Sequence, residues 1–191
     1  MISTMHISRI ILLVLPFVSL ACQNETSPPQ APVARPQAGQ QMFQDQQYGI
    51  ALCYPAGWKT STPRKTEFAF TSPDTKNGPI QLNLDVPELP PLTFGMVTVD
   101  RVRGGYIDDA KKKMSDAQVV NLPDTSVPDA TEHRVKLTGM VDGKPAVNEA
   151  AMMVHGGKVY VLSFEVPPAA YAEAQKALDG ALSSIKWTTG K

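Results

Sequence analysis

The sequence predicts an α+β domain, a mainly antiparallel β-sheet flanked by two α-helices. Three observations carry that expectation. Asp142-Gly143 and Gly156-Gly157 are two-residue hairpin signals joining three consecutive stretches of alternating apolar residues. Two segments, Val99 to Met114 and Tyr171 to Ile185, carry apolar residues at three- and four-residue spacing. The order is strands, helix, hairpin strands, helix, so both amphipathic helices must cover the sheet, on one face or on both.

The chain opens with a segment to be set aside from the fold. His6 and Arg9 lie in a short polar head, and Ile10 to Val18 is apolar apart from Pro16. That run is far shorter than the roughly 20 apolar residues a membrane-spanning helix needs. It fits the apolar core of an export signal, which is removed on maturation. Ser19-Leu20-Ala21-Cys22 resembles the lipobox of bacterial lipoproteins. The resemblance implies that Cys22 receives a diacylglyceryl group, that the chain is cut before it, and that its new amino group is acylated, with palmitate as a typical chain. Residues 1–21 are then a lipoprotein signal peptide. Several acyl chains on one residue anchor stably where one is marginal. Ser19 departs from the pattern, which more often has Leu or Val there, so cleavage to a plain secreted chain is the alternative. Gln23 stands where Asp would signal inner-membrane retention. The expected location is therefore the cell envelope, at the periplasmic face of the outer membrane in a Gram-negative cell.

Gln23 to Gln41 is rich in Gln, Pro and Ala and has no aromatic residue. Such a composition cannot bury enough apolar surface to fold, and its prolines favour extended polyproline II. Residues 22–41 are expected to be the lipidated cysteine and a tether. A proline-rich ligand for another domain is the other reading. The remaining 42–191 has the size of one domain with one core. The full chain has 18 basic and 18 acidic residues, and removing Arg9 with the signal leaves 17 against 18. Lys111-Lys112-Lys113, the only basic cluster, suits a solvated helix end. Nucleic acid is not an expected partner.

Within the domain, Ile50, Leu52 and Tyr54 alternate with Ala51 and Cys53 as a strand covered on one or both faces. Pro55-Ala56-Gly57 signals a turn, and Trp58 follows as a core anchor. Thr66 to Thr71 reads as a strand with Phe68 and Phe70 on one face. A loop rich in turn formers follows, then Pro79 to Val86 alternates again and stops at Pro87-Glu88-Leu89-Pro90-Pro91, since proline cannot donate to a ladder. The first helix is expected from Val99 to Met114, with Asp100 near its start and three lysines near its end matching the helix dipole. Gly104-Gly105 opposes it at about 1 kcal/mol each relative to Ala, unless the pair allows close packing on the sheet. Strands are expected over Gln118 to Leu122, Glu132 to Val141, Ala146 to Val154 and Lys158 to Val166. In the last, Tyr160, Leu162, Phe164 and Val166 face one way, and Val159, Val161, Ser163 and Glu165 the other. Pro167-Pro168 opens the second helix, where proline is tolerated. Its stripe is Tyr171, Ala174, Leu178, Ala181, Leu182 and Ile185, and Trp187 closes the domain.

Two stretches resemble PsbP-like domains, the family of the extrinsic P protein of photosystem II. "YGIALCYPAGWK" is similar to their opening, an aromatic-Gly-apolar strand running into a Tyr-Pro-x-x-Trp turn. "GGKVYVLSFEVPPAAYAEAQKALDGALSSIKW" is similar to their close. The resemblance spans the domain in element order, with specific sequence at its two ends. It implies an α/β/α sandwich around an antiparallel sheet and a non-catalytic protein. Family members include photosystem II assembly and stabilising subunits and many bacterial envelope lipoproteins.

Few residues suggest chemistry. With Cys22 lipidated, Cys53 has no partner in its chain, and its strand pattern suits a buried, inert thiol. His133 and His155 are the histidines that remain after the signal, and Glu132, Asp142 and Glu149 lie near them in sequence. A divalent-metal site there is conceivable, yet no zinc spacing or H-E-x-x-H occurs, and His155 beside Gly156-Gly157 suits an exposed turn. Asp108 and Asp109 diverge by about 100° on a helix and suit a solvated face. No nucleophile elbow or phosphate loop is present. The expected function is a non-catalytic, membrane-anchored lipoprotein that binds or scaffolds an envelope protein, with no cofactor or metal and with Cys22 as its one site residue. The alternative is a lipoprotein binding a small ligand or divalent metal in a pocket between sheet and helix. The Pro55 to Trp58 turn and the Pro87 to Phe94 loop are the candidate binding surfaces.

Overall fold

The computed structural model describes residues 36–89 and 96–188. The expected signal peptide, Cys22 and 23–35 of the expected tether lie outside the described residues, as do 90–95 before the first helix. In chain order the elements are β1 (Gln40–Asp45), β2 (Ile50–Pro55), β3 (Lys59–Arg64), β4 (Glu67–Thr71), β5 (Gln81–Asp85), α1 (Val99–Lys113), β6 (Ser115–Leu122), β7 (Thr131–Val141), β8 (Lys144–His155), β9 (Lys158–Val166), α2 (Tyr171–Ser183) and β10 (Lys186–Trp187). A 3-10 turn, Pro168–Ala170, leads into α2.

The strands form two antiparallel sheets. The larger has seven strands in the order β3-β4-β5-β9-β8-β7-β6, and the smaller has three, β1-β2-β10. The hairpins are those expected. Asp142 and Gly143 both take positive φ, as do Gly156 and Gly157, and this twist matches the right-handed strands they join. The loop from β5 through α1 to β6 carries the chain from the middle of the large sheet to its far edge.

Alternation gives the large sheet two dissimilar faces. Phe68, Phe70, Leu82, Leu84, Leu162, Phe164, Ala151 and Met153 point to one, where they meet α2 and the small sheet in the main core. Val135, Leu137, Ala150 and Met152 point to the other, where α1 covers them with Val99, Val102, Tyr106, Ala110 and Met114. The helices therefore lie on opposite faces, which settles the question the sequence left open. α1 starts where Thr98 accepts the Arg101 N–H at 3.3 Å as N-cap. Its last turn holds Lys111, Lys112 and Lys113.

Four expectations need correction. Gln40 and Gln41 belong to β1, not to the tether, because that strand pairs with β2 throughout its length. β3 was unforeseen. Lys59 to Arg64 is wholly exposed and contains Pro63, features tolerated only at a sheet edge. The sheet is split in two, because β2 pairs with β1 and β10 and not with β3. Gly104 and Gly105 do not allow close packing on the sheet, since both are exposed and a Cβ on either meets nothing within 4 Å. The glycine that does allow close approach is Gly139 on β7. A Cβ there would stand 2.6 Å from the Ser115 carbonyl oxygen and 2.6 Å from Met114 Cγ.

Candidate functional site

The main core is apolar across β4, β5 and β9 and turns polar at β8 and β7. Register places Phe70, Leu82, Phe164, Glu149 and Lys136 in one cross-strand row, and Phe68, Leu84, Leu162, Ala151 and Arg134 in the next. Glu149 and Arg134 thus occupy core-facing positions of central strands. Glu149 is 0% exposed and Arg134 is 8% exposed. Charges at such depth persist only when paired and hydrogen-bonded.

Arg134 supplies the pairing. One terminal nitrogen bonds Glu149 and also Asp179 Oδ1 at 2.8 Å. Its other terminal nitrogen donates to Thr125 Oγ1 at 2.7 Å. The second oxygen of Glu149 accepts from the Tyr171 hydroxyl at 2.7 Å, and Gln175 donates to that hydroxyl at 3.0 Å. Lys136 stands over the Tyr171 ring, 5.3 Å from its centroid. Tyr171, Gln175 and Asp179 are spaced by four residues, so they form one stripe of α2 facing the cluster. Glu132, also buried, accepts the Thr125 N–H at 3.0 Å. Glu132 Oε1 and Arg134 Nε are buried without a protein partner.

The titration behaviour follows from this packing. Burial pushes the Glu132 carboxyl above its ordinary range, against the lowering effect of the Thr125 and Val127 N–H groups and of Arg134. Burial opposes the Arg134 charge, but Glu149 and Asp179 more than offset it and its pKa rises. The Tyr171 hydroxyl is pushed far up, first by burial and then by its bond to Glu149, and stays protonated at any physiological pH.

Another stripe of α2 borders a groove of about 780 Å³. Glu173, Lys176, Gly180 and Ser183 form one wall, Tyr54, Pro55 and Trp58 another, and Ala38, Gly39 and Gln40 the rim. Thr125 and Asp179 belong both to this lining and to the Arg134 cluster, so the groove meets the buried charges at those two residues. The expected Pro55 to Trp58 turn is therefore at the groove, with Trp58 buried beneath it. Cys53 is buried at the groove, and its N–H donates to Ser184 Oγ at 2.7 Å. Of the second candidate surface, Pro87, Glu88 and Leu89 line a smaller recess of about 400 Å³ with Tyr48 and Lys158. The rest of that loop lies outside the described residues.

The residues considered for a metal are dispersed. His133 lies on the α1 face, with Nε2 3.3 Å from Asp100 and Nδ1 3.5 Å from Asp124. These carboxylates flank opposite sides of the ring, so one ion cannot take all three. Glu149 faces the other side of the sheet, and Asp142 lies in a hairpin turn. His155 is not an exposed turn residue. Its ring stacks on Trp187 at 4.1 Å and 6°, and Nδ1 lies 2.7 Å from the Asp129 carbonyl. Among the described residues no group of three His, Cys, Asp or Glu converges to hold a metal.

In the sequence Tyr171 stands out only as a member of an apolar stripe, and Arg134 and Asp179 belong to no motif. The signal for Arg134 and Glu149 was a charge at core-facing parity in a strand, where alternation demands an apolar residue.

No family model matches the sequence, and no curated protein matches it. Solved structures do match. Cyanobacterial PsbP (CyanoP) from Synechocystis superposes with a TM-score of 0.54 at 15% identity, over 80% of this chain and 94% of that one. A variant of Mog1 superposes with a TM-score of 0.51 at 10% identity, over 78% and 96%. A protein from Bacteroides thetaiotaomicron gives a TM-score of 0.52 at 14% identity over 78% of this chain, which spans 48% of that protein's length. The fold is PsbP-like, as the sequence resemblance implies. Among the described residues no helix is long and apolar enough to cross a membrane.

Proposed function

We propose that this chain is a non-catalytic envelope lipoprotein, anchored through Cys22, whose domain holds a protein partner in the groove beside α2. The observation that carries the reading is the position of that groove. Ala38, Gly39 and Gln40, where the expected tether enters the domain, form its rim. A partner seated there lies beside the point where the tether joins the domain. The groove suits a peptide segment. Its walls combine Tyr54, Pro55 and Ala177 with Glu173, Lys176 and Asp179, an apolar base with polar borders of both signs. The likeness in fold to CyanoP is consistent with a binding or assembly module, and fold by itself does not assign function.

The test is a mild-detergent pull-down from envelope membranes with a C-terminally tagged chain, beside Cys22→Ala and the double reversal Glu173→Lys, Lys176→Glu. Both reversed residues are exposed on α2, so the fold is retained. One dominant protein, lost in the groove variant and reduced when the anchor is removed, supports the proposal. A partner retained by the groove variant removes the groove from it. If no protein is captured and a small molecule or divalent ion raises the Tm of the parent but not of the groove variant, the ligand-binding alternative replaces it.

A further inference from the structure

The two edges of the seven-stranded sheet are built differently. β3 carries the usual protections against strand addition: Lys59, Pro63, Arg64 and a register shift between Ser61 and Arg64. β6 at the opposite edge has its own register shift, at Ser115 to Gln118, with Asp116 at φ 55°. Beyond it, Ala117 to Leu122 reads Ala-Gln-Val-Val-Asn-Leu, with no charge and no proline. β6 pairs with β7 alone, so among the described residues its outer row of N–H and C=O groups meets no strand. Val120, in the middle of this stretch, is 47% exposed and is one of two exposed large apolar residues among those described.

We infer that the β6 edge is an interface with a second copy of this chain, paired antiparallel about a two-fold axis through Val119. This inference does not depend on what the groove holds. Strand pairing requires residues on the same face of the joined sheet to stand opposite each other. Of the registers that satisfy this, centring on Val119 sets Gln118 opposite the copy's Val120 and Ala117 opposite its Asn121. No like charges meet. Centring one residue further along would set Ala117 against the copy's Pro123, which cannot donate to a ladder, and is disfavoured. The interface is isologous, so the same patch serves both copies and the assembly closes at two. Val120 gains cover from the Gln118 stem and lies diagonal to its own copy, which removes its exposed surface from water. The joined sheet has fourteen strands, twice the seven described, with α1 of each copy on the same face.

Val119→Cys is the test, made in the full chain in envelope membranes and treated with a mild thiol oxidant. A directly opposed antiparallel pair holds its Cβ atoms about 4.5–5.5 Å apart, close to the roughly 3.5–4.5 Å a disulfide needs. Thr60→Cys on β3 is the edge control, and the parent chain, with its own cysteines, sets the baseline. Circular dichroism and Tm establish that each variant is folded. The expected result is loss of the monomer band to a disulfide dimer for Val119→Cys alone, and its return when Val120→Lys is added, because two lysines then meet diagonally. Cross-linking of Val119→Cys no greater than that of Thr60→Cys overturns the proposal. So does a cross-link to a protein of different mass, which would make β6 the site of a foreign strand.

Discussion

Glu149 on β8 is bonded by Arg134, which stands diagonally from it on β7, and not by Lys136, which stands directly opposite. The longer guanidinium also reaches Asp179 on α2, so a single cation ties two strands to the helix across the polar end of the main core. Removing either member of such a pair strands the other charge in a buried site. Arg134→Met and Glu149→Leu are each expected to cost about 3–5 kcal/mol. The double variant is expected to cost clearly less than the two losses summed, because neither charge is then left alone. Denaturant unfolding of the four proteins checks this, and simple additivity would show that the pair does not act as a unit.

Glu132 gives the cluster a pH dependence of defined sign. Burial raises its folded-state pKa, so the fold favours the protonated acid. The associated stability is fully present below the unfolded-state value of about 4.3 and is lost as pH rises through the folded-state value. The parent is therefore expected to lose stability relative to Glu132→Gln as pH rises through the window that opens at about 4.3. Parallel unfolding curves of the two proteins across that window would contradict it.

Glycine substitutions should act in opposite directions. Gly104 is helical, exposed and has open space at its Cβ position. Gly104→Ala is expected to stabilise by about 0.4–1 kcal/mol. Gly139→Ala would drive a methyl against the Ser115 carbonyl oxygen, a backbone atom at the bend into β6. It is expected to destabilise by about 1–3 kcal/mol. Thermal unfolding reads both, and a neutral Gly139→Ala would mean that the α1–β6 junction can move aside.

His155 and Trp187 hold the loop between β6 and β7. Trp187 Nε1 donates to the Pro128 carbonyl at 2.6 Å, and His155 binds the next residue's carbonyl while stacked on the indole. Trp187→Phe retains an aromatic surface and loses the donor. It is expected to cost about 0.5–1.5 kcal/mol and to speed amide exchange in 125–130 more than in β8. Unchanged exchange in that loop would show that the indole hydrogen bond does not hold it.

Most elements of the domain are legible in the chain because their signals are local. Asp142-Gly143 and Gly156-Gly157 demand positive φ and fix two hairpins wherever they stand. The stripes of α1 and α2 need only helical spacing to be read. β1 and β3 escape because both are polar or half-buried edge strands. Their pairing is decided by neighbours far along the chain, and their own residues carry no alternation to announce it.

By itself the sequence determined the antiparallel α+β fold, the two hairpins, the two helical stripes and the burial of Cys53, since each follows from short-range periodicity, turn chemistry or residue type. The tertiary structure decided which face each helix covers, the division into two sheets, the separation of His133 from His155, and the meeting of Arg134, Glu149, Tyr171 and Asp179 from three elements. The physical reason is that a buried charge is viable only through partners brought by folding. Those partners are set by strand register and helix docking, which are properties of the assembled domain and not of any one segment.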